Sequence, residues 1–185
     1  MKYSRYTTAL VSASLLSACS ASLQDYQQST PTFSLQTYFS KPVTAWGIVQ
    51  NYADKLTRRF CVDIVPQWQG NEGQLHETFY YDDGEQQIRI WSLTVAQDGT
   101  VTGTAGDVIG TASGGASGAA FNWQYTLRVP VDGSNYDLFV DDWMFTLDKN
   151  RIMNRSYLKK FGITVAEVSI FFDNSAQVPS CQDTL

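Results

Sequence analysis

Short runs of strand-forming residues recur along most of this chain and constrain its fold more than any other feature. From Trp46 to residue 173 these runs are rich in Val, Ile, Thr and aromatic residues, and none shows a convincing helical period. Turn pairs separate several of them, at Asp83-Gly84, Asp98-Gly99 and Asp132-Gly133. About ten consecutive antiparallel strands would leave exposed edges unless the sheet closed. The sequence therefore predicts an all-β protein, a closed antiparallel meander β-barrel of about ten strands.

The segments that flank the barrel have a different composition. Ser34-Leu35 and Tyr38-Phe39 have helical spacing over one or two turns, which predicts a short N-terminal helix that plugs the barrel. Residues 19–32 are polar and rich in Ser and Gln, so they are predicted to form a flexible tether. The barrel domain is placed at 33–173 and a C-terminal tail at 174–185.

Residues 1–18 have the pattern of a secretory leader. Lys2 and Arg5 form a basic start, an apolar stretch follows, and Leu16-Ser17-Ala18-Cys19 closes the segment. The last four residues resemble the lipobox of bacterial lipoproteins, which implies cleavage before Cys19 and acylation of that cysteine. Ser20 in place of Asp is similar to lipoproteins sorted to the outer membrane. We therefore expect a lipid-anchored protein on the periplasmic side of the outer membrane.

Charge and cysteine content narrow the classes of partner. The formal net charge of -5 becomes about -7 when the leader with its two cations is removed. An acidic domain argues against nucleic acid, and it leaves the lipid as the route to the membrane. Cys61 and Cys181 remain in a compartment that permits disulfides, and a bond between them would close a loop of about 120 residues. Bonded and free thiols both remain open.

Counting outward from the two-residue turns predicts which side chains face the lumen. About Asp132-Gly133, Trp123 faces Asp142 on the inner side, while Asp141 points outward. If Lys149-Asn150 forms the next turn, Arg155 and Tyr157 also point inward, within reach of Asp142.

The same count about Asp83-Gly84 and Asp98-Gly99 concerns the first half of the barrel. It places Glu77, Ile90 and Asp107 in a row on the inner face. His76, the only histidine, then faces outward beside Trp91, and Arg89 also faces outward. Residues 103–118 are mostly Gly, Ala, Ser and Thr, which predicts bends at barrel corners and space in the interior.

Three interpretations of the inward polar residues remain open. Asp142 and Arg155 form a buried ion pair completed by Tyr157 and Trp123; or Arg155 and Tyr157 bind the anionic head of an amphipathic ligand. In the third, Glu77 and Asp107 form an acid/base pair. The isolated, outward histidine argues against a Ser-His-Asp site, and the sequence contains no zinc or calcium pattern, so we expect no enzyme, cofactor or metal.

The run Gly103-x-Ala105-x-Asp107-Val108-Ile109-Gly110 and the motif Asp141-Asp142-Trp143-Met144, with several other segments, resemble an uncharacterised family of Gram-negative lipoproteins that is catalogued only as a domain of unknown function. The barrel also resembles the calycin superfamily of lipocalins and fatty-acid-binding proteins, which implies an apolar ligand in the lumen. An interaction module without a small ligand is the alternative, and it would require outward Trp143, Phe139 and Trp91 to form one patch. The motifs shared with the lipoprotein family are Tyr38-Phe39, Trp46-Gly47, Arg59-Phe60, Glu77-x-Phe79, Asp83-Gly84, Arg89-x-Trp91, the run from Gly103 to Gly110, Asp141-Asp142-Trp143-Met144, Asn154-Arg155 and Lys160-Phe161-Gly162.

Overall fold

The predicted barrel is confirmed in a computed structural model, which describes residues 21–131, 133–176 and 178–183. This part of the chain contains ten antiparallel strands, each bonded to its neighbours in sequence, and β1 pairs with β10 to close the barrel. The strands are β1 (Val43–Asn51), β2 (Leu56–Gln69), β3 (Glu72–Tyr81), β4 (Gln86–Val95), β5 (Val101–Thr104), β6 (Val108–Ser117), β7 (Ala120–Val131), β8 (Ser134–Thr146), β9 (Arg151–Lys160) and β10 (Ile163–Asp173).

The hairpin between β7 and β8 has the predicted register. Trp123 lies opposite Asp142, and Tyr125 lies opposite Val140. Gly133 has a φ of 79°, a left-handed conformation that glycine adopts without strain, whereas Asp132 lies outside the described residues. Asp142 therefore faces the lumen and Asp141 faces outward.

Three other hairpins have three-residue loops where two-residue turns were predicted. Backbone hydrogen bonds close these loops from Tyr81 to Glu85, from Ala96 to Thr100 and from Leu147 to Arg151. An extra loop residue moves every side chain of the next strand to the opposite face. Glu77 therefore pairs with Arg89, not Ile90, and Asp142 pairs with Ser156, not Tyr157. The inward positions predicted for Ile90, Arg155 and Tyr157 are wrong, as are the outward positions predicted for Arg89 and Trp91.

Two of these irregularities are compensated farther along the chain. The loop at 97–99 restores the face that the loop at 82–84 reversed, so Glu77 and Asp107 lie on the same inner face. An irregularity between Thr164 and Ala166 likewise returns Val168 to the lumen.

A short helix, α1 (Leu35–Tyr38), closes one end of the barrel as predicted. Its Tyr38 hydroxyl donates to the Asn150 carbonyl at 3.0 Å, and Trp68 Nε1 donates to the Phe39 carbonyl at 2.9 Å. Phe39 is only 2% exposed, so it fills the lumen at this end. The opposite end, where the loops at 52–55, 82–85 and 132–133 lie, is the mouth of the barrel.

The segment before α1 is packed against the barrel, which corrects the prediction of a flexible tether for its described part. A 3-10 helix, Leu23–Tyr26, places the Tyr26 ring 5.8 Å from Trp143 and 5.4 Å from Phe145. The Phe33 amide donates to the Gly118 carbonyl at 2.8 Å. Cys19 and the predicted leader lie outside the described residues. Among those described, no helix combines the length and apolar character needed to cross a bilayer.

The C-terminal tail is held on the outer face of β2. A disulfide joins Cys61 to Cys181, with their α-carbons 5.6 Å apart. Asp63 accepts hydrogen bonds from the Cys181 amide at 3.1 Å and from the Ser180 hydroxyl at 2.6 Å. These contacts join the end of the chain to the second strand, 120 residues earlier in the sequence.

Candidate functional site

The barrel encloses a cavity of about 560 Å³ that extends from the α1 plug to the mouth. Its wall is mainly apolar and aromatic, and it includes two clusters of polar side chains. A groove of about 590 Å³ on the outer surface is slightly larger, but exposed polar residues such as Gln67, Gln74 and Ser92 make up much of its lining. The lumen is the better candidate because it buries what it holds on most sides. The apolar lining includes Val62, Ile64, Phe79, Val140, Val168 and Ile170.

Glu77, Arg89 and Asp107 form the first polar cluster in the lumen. Arg89 donates to Asp107 through Nε, 3.0 Å from Oδ2, and through Nη2, 2.7 Å from Oδ2. Its Nη1 lies 3.6 Å from Oε2 of Glu77, which is an ion pair beyond hydrogen-bond distance. Glu77 Oε2 is buried and has no hydrogen-bond partner among the described residues. Arg89 is therefore bonded to Asp107, and one oxygen of Glu77 is left unsatisfied.

Burial and neighbouring charges set the protonation of this cluster. Burial raises the pKa of Glu77 to about 7; Arg89 opposes the rise, and the charges of Asp107 and Asp142 add to it. Burial lowers the pKa of Arg89, but the charges of Glu77 and Asp107 more than offset this, so the net shift is upward and Arg89 stays charged. Glu77 is therefore the member of this cluster that gains or loses its proton near neutral pH.

Asp142 is the centre of a second polar cluster, which contains no cation. Its Oδ2 accepts from the Tyr125 hydroxyl at 3.2 Å, and its Oδ1 accepts from the Ser156 hydroxyl at 2.9 Å and from Asn154 Nδ2. The residue is 6% exposed. Burial raises the pKa of Asp142 to about 6, although all three hydrogen bonds act to lower it. Neutral donors thus replace the cationic partner predicted from the sequence.

Arg155 and Tyr157 lie on the outside of the barrel. Arg155 Nε is 2.8 Å from Oε1 of Glu167. Tyr157 lies opposite Asp141, and the Lys159 ammonium is 5.8 Å from the centre of its ring. The predicted ion pair between Asp142 and Arg155 is therefore wrong, and so is the predicted anion site built from Arg155 and Tyr157. Residues 154 and 156, which alternate with them on β9, face the lumen.

Three aromatic side chains, Trp91, Trp123 and Tyr125, form a wall of the lumen beside Glu77 and Asp142. The ring centre of Trp91 lies 4.7 Å from that of Trp123 and 5.4 Å from that of Tyr125. Glycine makes room for this wall, because a Cβ at Gly114 would lie 2.5 Å from Trp123 Cβ. The space predicted from the small residues of 103–118 is thus partly filled by the Trp123 indole.

Loop length is the signal that sequence reasoning missed. Because the loop lengths were not predicted, neither were the inward positions of four lumen residues, Arg89, Trp91, Asn154 and Ser156. Acidic side chains organise the longer loops: Asp83 Oδ1 accepts from the Glu85 amide at 3.0 Å and Asp98 Oδ1 accepts from the Thr100 amide at 2.9 Å. An Asp-Gly pair is compatible with this three-residue loop as well as with a two-residue turn, so the pair alone does not determine the length of the loop.

The geometry limits the chemistry available to the lumen. Arg89 lies between Glu77 and Asp107 in the strand order, so these two acids do not share a proton in the manner of an acid/base pair. Across the described ranges, no group of three His, Cys, Asp or Glu side chains is arranged to hold a metal ion. The outward patch predicted for an interaction module is absent, because Trp91 is inside and Tyr26 covers Trp143.

Comparison with known proteins finds a solved structure with a similar fold and a matching family. An S-type phycobiliprotein lyase from Guillardia theta has a similar structure, with a TM-score of 0.54 at 8% identity over 78% of this chain and 95% of that chain. The structure titled EF1p2_mFAP2b bound to DFHBI has a TM-score of 0.39 at 8% identity, over 76% and 99% of the two chains. No curated protein matches the sequence. A family model described as a protein of unknown function, DUF3833, matches residues 13–174.

Proposed function

The chain belongs to the DUF3833 family of proteins of unknown function, and we propose that it is a lipid-anchored binding protein that holds an apolar or amphipathic molecule in its barrel lumen. The cavity of about 560 Å³ carries this proposal. Ligand sites typically have volumes of about 300 to 1,000 Å³ and mostly apolar walls with a few placed polar groups. The lumen has both properties.

The way the barrel is closed supports binding from one end. The plug formed by α1 and Phe39 closes the far end, and apolar side chains lie at the same depth in the lumen as the polar clusters, since Val168 and Asp142 both pair with Ser156. A chain-like molecule that entered at the mouth would bury its tail against Val168, Ile170 and their neighbours. Each buried methylene would contribute about 0.8 kcal/mol.

The Cys19 anchor is part of the proposal, and chain length gives it an orientation. Cys19 lies three residues before Ser22, a distance of at most about 11 Å, and the 3-10 helix Leu23–Tyr26 adds about 8 Å, so Cys19 is at most about 20 Å from Tyr26. Tyr26 packs on Phe145, near the plugged end, whereas the mouth lies about ten residues away along the strands, or roughly 30 Å. A lipid on Cys19 would therefore hold the plugged end near the bilayer, with the mouth facing away from it.

Replacing Val168 with Trp tests the lumen. The domain from residue 20 onward contains the whole barrel and its disulfide, and it can be titrated with the neutral dye N-phenyl-1-naphthylamine while organic extracts of the purified protein are examined by mass spectrometry. We expect the dye to bind to the parent domain and more weakly to V168W, because the indole would project into the cavity and occupy part of the space beside the apolar wall. Ser169→Trp, on the outer face of the same strand, should keep binding. Absence of both dye binding and co-purified lipid in the parent would refute the proposal.

Replacing Cys19 with Ser tests the anchor. Without the thiol the chain cannot be acylated there, so C19S should appear in the soluble fraction of the cell envelope. Ser20→Ala should remain with the membranes. Mass spectrometry of the N-terminal peptide should show acyl chains on Cys19, and an unmodified cysteine there would contradict the anchor.

A further inference from the structure

We propose that the ligand of this lumen carries an alkylammonium head, and that Glu77 accepts a hydrogen bond from its N–H group while the Trp91 and Tyr125 rings lie beside the cation. This inference rests on the proposed function and specifies the chemistry of the same cavity. It replaces the anionic head predicted from Arg155 and Tyr157, both of which face outward.

The carboxylate of Glu77 is the first support. Oε2 is buried beside Arg89, whose Nη1 lies 3.6 Å away, beyond hydrogen-bond distance, while the side chain as a whole is 12% exposed and lines the lumen. A ligand N–H that reached the exposed part of this carboxylate would form a charge-assisted hydrogen bond with it. An anionic head would be repelled by the carboxylate, and an apolar head would offer it no hydrogen bond.

The charge balance of the lumen is the second support. Asp107 takes the hydrogen bonds of Arg89, and Asp142 has only neutral donors among the described residues. Nearer the mouth, Arg58 is paired with Asp83 and Glu85, and Arg128 with Asp137. Among the described residues, the part of the lumen beyond these mouth pairs thus has three carboxyl groups, Glu77, Asp107 and Asp142, and one guanidinium, Arg89, and a cationic head would offset part of this excess.

The aromatic wall is the third support. Trp91 lies opposite Leu75, two positions from Glu77 on the same face of the β3–β4 pair, and its ring centre is 5.4 Å from that of Tyr125. Tryptophan and tyrosine rings attract cations, most strongly where water is excluded. Carboxylate and rings together form one side of an ammonium site.

Binding of such a head depends on pH in a definite direction. Four elements present charged or titratable groups to Glu77: Arg89 on β4, Asp107 after β5, Tyr125 on β7 and Asp142 on β8. Glu77 becomes a carboxylate as the pH rises through about 7, whereas an alkylamine stays protonated up to about pH 10. Affinity for the ammonium should therefore rise between pH 5.5 and pH 8.

Competition between ten-carbon probes tests the inference. Decylamine, decanol and decanoate, each below its micelle concentration, would displace N-phenyl-1-naphthylamine from the domain at pH 7.5. We expect decylamine to bind about tenfold more tightly than decanoate, a difference of about 1.4 kcal/mol, because the Glu77 carboxylate accepts a hydrogen bond from the ammonium and repels a second carboxylate. Glu77→Gln should lose most of this preference and bind decanol within about twofold. The matched variant Glu72→Gln, at the exposed start of β3, should behave like the parent.

The outcomes separate this inference from the proposed function. If all three probes displace the dye but decanoate binds as well as decylamine, the ammonium head is refuted and lumen binding stands. If decylamine is preferred equally by the parent and by E77Q, the role of Glu77 is refuted. If the dye does not bind and no probe is bound, the proposed function itself fails.

Discussion

Glu77 and Asp142 are two buried carboxylates in one lumen, and the barrel stabilises them in different ways. Glu77 has a nearby cation, Arg89, but one of its oxygens accepts no hydrogen bond. Asp142 has no cation in the described residues, yet three neutral side chains donate to it. A charge partner and a complete set of hydrogen bonds are alternative ways to stabilise a buried acid. The difference suggests that Asp142 organises the wall, whereas Glu77 is available to a ligand.

Replacing Arg89 with Met should have the largest effect on this comparison. The variant leaves Glu77 and Asp107 buried without their cation, and breaking a buried pair in this way typically costs about 3 to 5 kcal/mol. Urea denaturation at pH 7 would measure the loss in the free energy of unfolding. Arg155→Met is the matched control, because that pair with Glu167 is on the surface and should contribute about 1 kcal/mol or less. An equal loss in both variants would contradict the buried position of Arg89.

The pH dependence of stability separates Glu77 from its neighbours. Its pKa in the folded protein, about 7, exceeds the ordinary value of 4.5, so the folded state holds the proton more tightly than the unfolded state. The resulting stabilisation is fully present below pH 4.5 and is lost as the pH rises through 7. A pKa of about 7 in place of 4.5 corresponds to about 3 kcal/mol.

Glu77→Gln should remove this component of the pH dependence. Unfolding of E77Q and of the parent, measured by urea denaturation at pH 4 and pH 8, should show that the parent loses up to about 3 kcal/mol more than the variant between the two values. Glu72→Gln should keep the slope of the parent, since Glu72 is exposed. Identical slopes in E77Q and the parent would show that Glu77 does not titrate from a buried position.

The sequence predicted the architecture because its strongest signals are local. Alternating strands and turn pairs specify a closed meander, and the register across 132–133 follows from a two-residue turn. The polar site was predicted only in part, since a single extra loop residue exchanges Arg89 for Ile90 and Ser156 for Tyr157. The inward positions predicted for Asp142, Glu77, Asp107 and Trp123 agree with the structure. Either no extra loop residue affects their register, or two extra residues do and their effects cancel. Loop length at 82–84 and 148–150 depends on backbone conformation, which these short turn sequences do not determine.

Tyr125→Phe should have the smallest of the three effects, and it tests whether Asp142 depends on its neutral donors. The Tyr125 hydroxyl donates one of the three hydrogen bonds to Asp142, at 3.2 Å, and this long bond to a charged acceptor contributes about 1.5 kcal/mol. Because this bond favours the charged carboxylate, its removal should raise the pKa of Asp142 above about 6. A carboxyl-carbon NMR titration would follow Asp142, with Tyr157→Phe on the outer face as the control. If the pKa of Asp142 stayed unchanged in Y125F, the remaining donors, Asn154 and Ser156, would be sufficient, and Tyr125 would belong functionally to the ligand side of the lumen beside Glu77.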